Sequence, residues 1–318
     1  VAFAIARQQY GLSNEEMEFN MGKLNSTRVK LLTAGLLSAS LIVACGSDKD
    51  ADPVTVNDKV QTEFSTVAAL GALEGAVCTV FNSSDVALGS ATTDEDGKAA
   101  FSFLAAPSDF PFVVSCEGGD YYDESTQTKK TLPAGKPILS MVPEPATVVV
   151  NKNIAVNTLT DMSTAVFKTL PKAQQNAEGV VQSLNNTVKA IAPELVKNGG
   201  GLNVLEAPTV VKNATDKVPA TPAGKYAAVL AGIAKAATAS GKTPDQLGKE
   251  LAEQAKTGTI VAEVIVQVTA KTKEFAQEQG DEGLEEDLND DEEATGTVVK
   301  PNPTPTPPPT TGGTGTST

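Results

Sequence analysis

Apolar and polar residues alternate in short runs through the first half of this chain, then shift to a helical spacing in the second. Between positions 63 and 159, Val/Ala/Phe-rich runs are separated by Gly, Asp, Asn, Ser and Pro. Runs of period two predict strands at 65–73, 76–81, 86–92, 99–104, 112–116, 128–132, 137–142 and 147–150. The segments NSSD (82–85) and DEDG (94–97) carry residues that tolerate tight turns. Many short strands at this spacing point to an antiparallel β-sandwich. Within it, Ala76, Cys78 and Val80 share one strand face, and Phe112, Val114 and Cys116 share another.

After Asn157 the apolar period lengthens to about 3.6 residues. Thr160 or Asp161 is placed to cap a helix that stops near Leu170, before Pro171. Ala177, Val180, Val181, Leu184, Val188 and Ile191 form an amphipathic stripe. Thr221-Pro222 and Thr243-Pro244 each set a capping hydroxyl before a first-turn proline, with Gly241 and Gly258 beyond the respective helix ends. Positions 260–279 place Val261, Val264, Ile265 and Val268 on one helical stripe, and 201–220 reads as a loop. The expected fold class is therefore α+β: an N-terminal antiparallel β-sandwich over 63–159, then a small all-α bundle of about five helices over 160–279. Residues 280–318 read as a solvated, disordered tail. Ten acidic residues crowd 278–293, and Thr, Pro and Gly dominate 295–318.

The N-terminal end has a different pattern. Positions 21–30 contain Lys23, Arg28 and Lys30, and the next fourteen, 31–44, carry no charge. A basic segment before a short apolar one is the layout of a secretory signal, and fourteen residues fall short of the about 20 that span a bilayer. Leu41-Ile42-Val43-Ala44-Cys45 resembles the lipobox of bacterial lipoproteins, with Ile42 where that family usually has Leu. The resemblance implies cleavage before Cys45, acylation of that cysteine, and stable membrane anchoring through several acyl chains. Residues 1–20 then read as an upstream extension, 21–44 as the signal and 45–62 as a polar tether. Gly46 follows the cysteine where an acidic residue would imply retention at the inner membrane, so the resemblance implies the outer membrane. An exported chain lives where disulfides form, and with Cys45 acylated, Cys78 and Cys116 remain as a pair; the alternative is two buried thiols.

Composition narrows the chemistry. The formal net charge is −14, and without residues 1–44 the balance is 21 basic against 36 acidic residues, or −15. Such a charge disfavours nucleic acid as a partner, and no basic stripe with interleaved aromatics occurs. Histidine is absent. This removes Ser-His-Asp and Cys-His catalysis and any histidine-ligated metal. Tryptophan is absent too and aromatics are scarce, so cores must be built mainly from Val, Leu, Ile and Ala.

The stretch from Gly75 to Gly119 is similar to carboxypeptidase regulatory-like domains, small transthyretin-like β-sandwiches. Thr93-Asp94-Glu95-Asp96-Gly97, followed by Phe101 and Phe103, carries the likeness, which covers about a third of the chain after Cys45. It implies a non-catalytic module for folding, presentation or ligand contact.

Asp94 and Asp96 have the composition of a cation or acid/base pair but sit in a segment that turn chemistry already explains. The run from Asp287 imitates an EF-hand loop, yet Glu292 stands at its glycine position and Val298 at its bidentate glutamate position. Ser163 and Lys168 miss the S-x-x-K spacing. Tyr121 and Tyr122 are adjacent aromatics in a polar setting and form a candidate contact patch, against the commoner alternative of strand-end packing. The expectation is a non-enzymatic lipid-anchored envelope protein without cofactor or metal, facing the periplasm or the exterior. Its role would be adhesion, scaffolding or binding of an envelope protein or glycan. The alternatives are a carboxylate-dependent glycan-active hydrolase and a periplasmic structural tether.

Overall fold

The computed structural model describes residues 59–143, 153–195, 204–288 and 294–301. Cys45, the signal, most of the tether and the strand expected at 147–150 lie outside them. The strands are β1 (Val60–Ala68), β2 (Val77–Phe81), β3 (Ala87–Thr92), β4 (Lys98–Ala105), β5 (Phe112–Glu117), β6 (Asp120–Asp123), β7 (Thr128–Thr131), β8 (Ile138–Val142) and β9 (Asn153–Val156). The helices are α1 (Thr158–Phe167), α2 (Ala177–Ile191), α3 (Pro222–Ala239), α4 (Pro244–Thr257), α5 (Ala262–Gln279) and α6 (Glu282–Leu288). The fold class is α+β.

One sheet has the order β4-β1-β9, a second the order β3-β2-β5-β8, and β6 pairs with β7 as a hairpin. All pairs are antiparallel except β1 with β9. That parallel pair departs from the expected antiparallel arrangement. β9 sets Asn153–Val156 beside Ser65–Ala68 and leads directly into the Asn157 cap of α1. The sequence reading also starts β1 too late, since Val60, Gln61 and Thr62 of the expected tether already pair with Ala105, Leu104 and Phe103.

Side-chain alternation determines what meets between the sheets. Phe64 of β1 and Phe101 of β4 point inward, as do Phe112, Val114 and Cys116 of β5. Phe64 approaches Phe101 at 5.2 Å and Phe112 at 6.3 Å between ring centroids, and Phe103 meets Phe112 edge-on at 5.5 Å. With Phe110 at 3.8 Å from Phe112, five of the ten phenylalanines form one cluster joining β1, β4 and β5. Burying each such ring contributes about 1.5–3 kcal/mol. Tryptophan is not needed.

The same core continues without a break into α1, α2, α3 and α4 through Leu159, Met162, Val166, Leu184, Ile233 and Leu251. Asn157, not Thr160 or Asp161, caps α1. Its Oδ1 accepts from the N–H groups of Leu159 and Thr160, while the Thr160 hydroxyl accepts from the Asn157 N–H at 2.9 Å. Thr160 and Asp161 are thus the third and fourth helical residues, and both are buried. Helices α3 and α4 start at the two Thr-Pro steps, and α3 is rich in alanine, so it packs closely. On α2 the stripe turns away from the expected one: Val181 is exposed, and Ser183 and Thr187 are buried in its place.

The expected disordered tail is corrected over two segments. Helix α6 lies within the acidic run and buries Leu284 and Leu288, four residues apart, beside Phe275 and Ala276 of α5. Residues 294–301 lie against the body. Gly296 donates its N–H to the Ala190 carbonyl at 2.9 Å and accepts from Ile260 at 2.7 Å, and Val298 is buried in the main core. Charge density hid two leucines at helical spacing and one anchoring valine. No helix among the described residues is long and apolar enough to cross a membrane.

Candidate functional site

Three local structures meet to form a cleft of about 210 Å³. The first is the β2–β3 turn, organised by Asn82. Its Oδ1 accepts from the N–H groups of Ser84 at 3.0 Å and Val86 at 2.9 Å, and its amide nitrogen donates to Asp109 Oδ1 at 2.9 Å. An asparagine serves here because one side chain closes the turn and ties it to the next loop. Asp85 takes a left-handed backbone, φ 59°, which aspartate tolerates better than most residues. The second is the loop into β5, held by Asp109, whose Oδ2 accepts from the Ala106 N–H at 2.8 Å. The Phe110–Pro111 peptide in this loop is cis. The third is the end of α1 and the short 3₁₀ turn Lys172–Gln174.

Lys172 spans from this helical side to the turn. Its ammonium donates to the Ser83 carbonyl at 2.5 Å and to Gln175 Oε1 at 3.2 Å, while Gln175 Nε2 donates to the Leu170 carbonyl at 2.9 Å. Buried Pro111, Val113 and Phe167 supply an apolar floor. Asn82, Asp85, Lys168, Lys172 and Gln175 supply a polar rim. Lys168 is the C-cap residue of α1 and is exposed, and among the described residues its ammonium makes no hydrogen bond or ion pair. An apolar wall with a few polar groups at its edge suits recognition of a small molecule. In sequence Lys168 stands only as a candidate partner for Ser163, and the structure separates the two residues' roles. The Ser163 hydroxyl is buried and donates to the Leu159 carbonyl at 2.8 Å, within its own helix.

The other sequence candidates fall elsewhere. Cys78 and Cys116 are directly opposite in the β2–β5 register and are bonded, with S–S 2.01 Å and Cα–Cα 4.0 Å. Both are fully buried, so the pair clamps the second sheet from inside. Tyr121 is 1% exposed and part of the main core, which removes it from the proposed contact patch. Tyr122 is half-buried against the smaller cluster of α3, α5 and α6, and its buried hydroxyl has no hydrogen-bond partner among the described residues. The two tyrosines lie on β6, which polar sequence had hidden; its register with β7 pairs Tyr121 with Lys130 and Tyr122 with Lys129. Alternation sends one ring into each cluster, so neither forms an open aromatic platform.

The carboxylates are mostly engaged. Asp94 Oδ1 accepts from the N–H groups of Asp96 and Lys98, both at 2.9 Å, which is the work of a turn residue. Asp96 pairs with Lys212 at 2.8 Å, and that ammonium holds its carboxyl below the usual range. Asp123 is buried and accepts from the Ser125 N–H, the Ser125 hydroxyl and the Thr126 hydroxyl. Beside it, burial pushes the Glu124 carboxyl up to about 8, with the Asp123 charge adding to the effect. Asp161, missed as anything but a cap, is 2% exposed; it accepts from the Leu139 N–H at 3.0 Å and pairs with Lys249 at 2.8 Å. Burial raises its carboxyl even though the Lys249 ammonium pulls the other way. This node ties β8 to α1 and α4. Among the described residues no group of three or more acidic or cysteine side chains could hold a metal ion.

No known protein family, curated protein or solved structure matches this chain.

Proposed function

We propose that the chain is a non-enzymatic, lipid-anchored protein of the bacterial cell envelope that binds and presents a small ligand from a carboxypeptidase regulatory-like β-sandwich. The observation that carries the binding role is the cleft, with its buried floor of Pro111, Val113 and Phe167 and its rim of amide and ammonium groups. Those are recognition groups, and Asp85 is the carboxylate in the lining. The anchor rests on residues 21–45: a basic segment, an apolar segment and Leu41-Ile42-Val43-Ala44-Cys45. The Cys78–Cys116 bond is in keeping with an oxidising compartment. The outer membrane is the proposed site because Gly46 follows the acylated position.

Mass spectrometry of the N-terminal peptide from membrane-extracted protein tests the anchor. The expected result is an acylated Cys45 at the new N-terminus, with Cys78 and Cys116 protected from alkylation until reduction. A chain retaining residues 1–44 with three alkylatable thiols would overturn the envelope assignment.

A further inference from the structure

We infer that the cleft takes an acidic monosaccharide unit, a pyranose carrying a carboxylate, with Lys168 and Lys172 receiving the carboxylate. The inference deepens the binding role proposed above and rests on it. Three features of the cleft select this chemistry. Its volume, about 210 Å³, lies below the roughly 300–1,000 Å³ that accommodates drug-sized ligands, so it suits a single ring. Its floor is apolar and its rim is polar, with the second N–H of the Asn82 and Gln175 amides beyond those bound to Asp109 and to the Leu170 carbonyl, which pairs the apolar face of a sugar ring with donors for its hydroxyls.

The third feature is charge. The protein as a whole carries −14, yet two ammonium groups four residues apart line this cleft against the one carboxylate of Asp85. Charges farther away than about 8 Å are screened at physiological ionic strength, so a ligand in the cleft experiences the two lysines together with Asp85 and with Asp109, which is bonded to Asn82. Lys172 is already oriented by the Ser83 carbonyl and by Gln175, so it is held in place before any ligand arrives. Lys168 supplies a second ammonium at the end of α1. Asp85 on the opposite turn accepts from a hydroxyl, which also disfavours a second anionic group there.

Titration of sodium glucuronate into the isotopically labelled full chain, followed by amide resonances, tests this. Glucose serves as the uncharged ring and acetate as the carboxylate without a ring. The expected result is saturable shifts at Val113, Phe167 and Lys172 with a dissociation constant of about 1 mM, and much weaker effects from glucose and acetate. Lys168→Gln removes a group that makes no hydrogen bond among the described residues and only a charge interaction with Asp161, and it should weaken glucuronate binding about tenfold. Lys172→Gln should weaken it as well. Glucose shifting the same residues as strongly as glucuronate would overturn the acidic ligand while leaving the binding role standing. Absence of any cleft response to either sugar would overturn both. Unchanged affinity in Lys168→Gln, with shifts still in the cleft, would remove the lysine assignment and with it the inference.

Discussion

Cys78 and Cys116 face each other across β2 and β5 as register partners, at a Cα–Cα distance of 4.0 Å, deep in the core. The bond closes a loop of 38 residues that contains β3, β4 and the cleft-forming turn. On the chain-entropy account, closing such a loop stabilises the fold by about 4 kcal/mol. Cys78→Ala/Cys116→Ala is expected to lose about that much in urea unfolding. In the parent protein both thiols should resist alkylation until reductant and denaturant are combined.

Helices α3 and α5 touch backbone to backbone at Gly232. A methyl group there would fall 2.8 Å from both the N and Cα of Thr272. Backbone cannot move aside as a side chain does. Gly232→Ala is expected to destabilise by about 2–3 kcal/mol, despite a gain in helix propensity of about 1 kcal/mol. Gly248→Ala meets only the Thr158 side chain, its methyl at 3.2 Å and its hydroxyl at 3.4 Å, and should cost clearly less. Comparing urea midpoints of the two variants checks the distinction.

Asp161 joins three elements through one carboxylate. Asp161→Ala leaves the Leu139 N–H without its acceptor and the Lys249 ammonium with the Pro137 carbonyl but no counter-charge, and is expected to cost about 3 kcal/mol. Asp161→Asn keeps an acceptor for Leu139 and should cost roughly half as much. Equal destabilisation by both variants would assign the effect to packing rather than to hydrogen bonding.

Glu124 makes stability depend on pH. Its carboxyl titrates near 8 when folded, above its ordinary value of 4.5, so between those limits the folded state binds more protons than the unfolded state. Stability from this group is therefore fully present below pH 4.5 and is lost as pH rises through 8. Glu124 is half-buried, and its remaining contact with solvent keeps the effect to about 1–3 kcal/mol. Glu124→Gln should raise stability at pH 8.5 relative to the parent and change it little near pH 4. Thermal unfolding across that range reads the difference.

Much of the body was legible in residue spacing. Period-two runs located β2, β3, β4, β5, β7 and β8, and the Thr-Pro steps located α3 and α4, because in each case local chemistry and burial agree. The parity of Cys78 and Cys116 also placed both thiols inward. Other elements depend on partners far along the chain. β9 is only four residues long and exists because β1 offers it a parallel edge, and β6 is a polar DYYD segment made a strand by β7. Helix α6 was masked by its charge, although Leu284 and Leu288 sit at the spacing that buries one face. The cleft was not legible at all. Asn82, Pro111 and Lys172 belong to three segments that are brought together only by the packing of α1 against the second sheet, and no motif links them in sequence.

The position of β1 has a mechanical consequence. It is the central strand of its sheet, bonded on one side to β4 from Val60 to Val67 and on the other to β9 from Ser65 to Ala68. A pull transmitted through the residues before Val60 therefore meets the β4 ladder first and, from Ser65 on, ladders on both flanks. Extraction requires those bonds to slide and break together, whereas an edge strand peeled from its end yields one bond at a time. With the proposed membrane anchor before Val60, a body dragged by whatever it grips would resist the load along the length of β1.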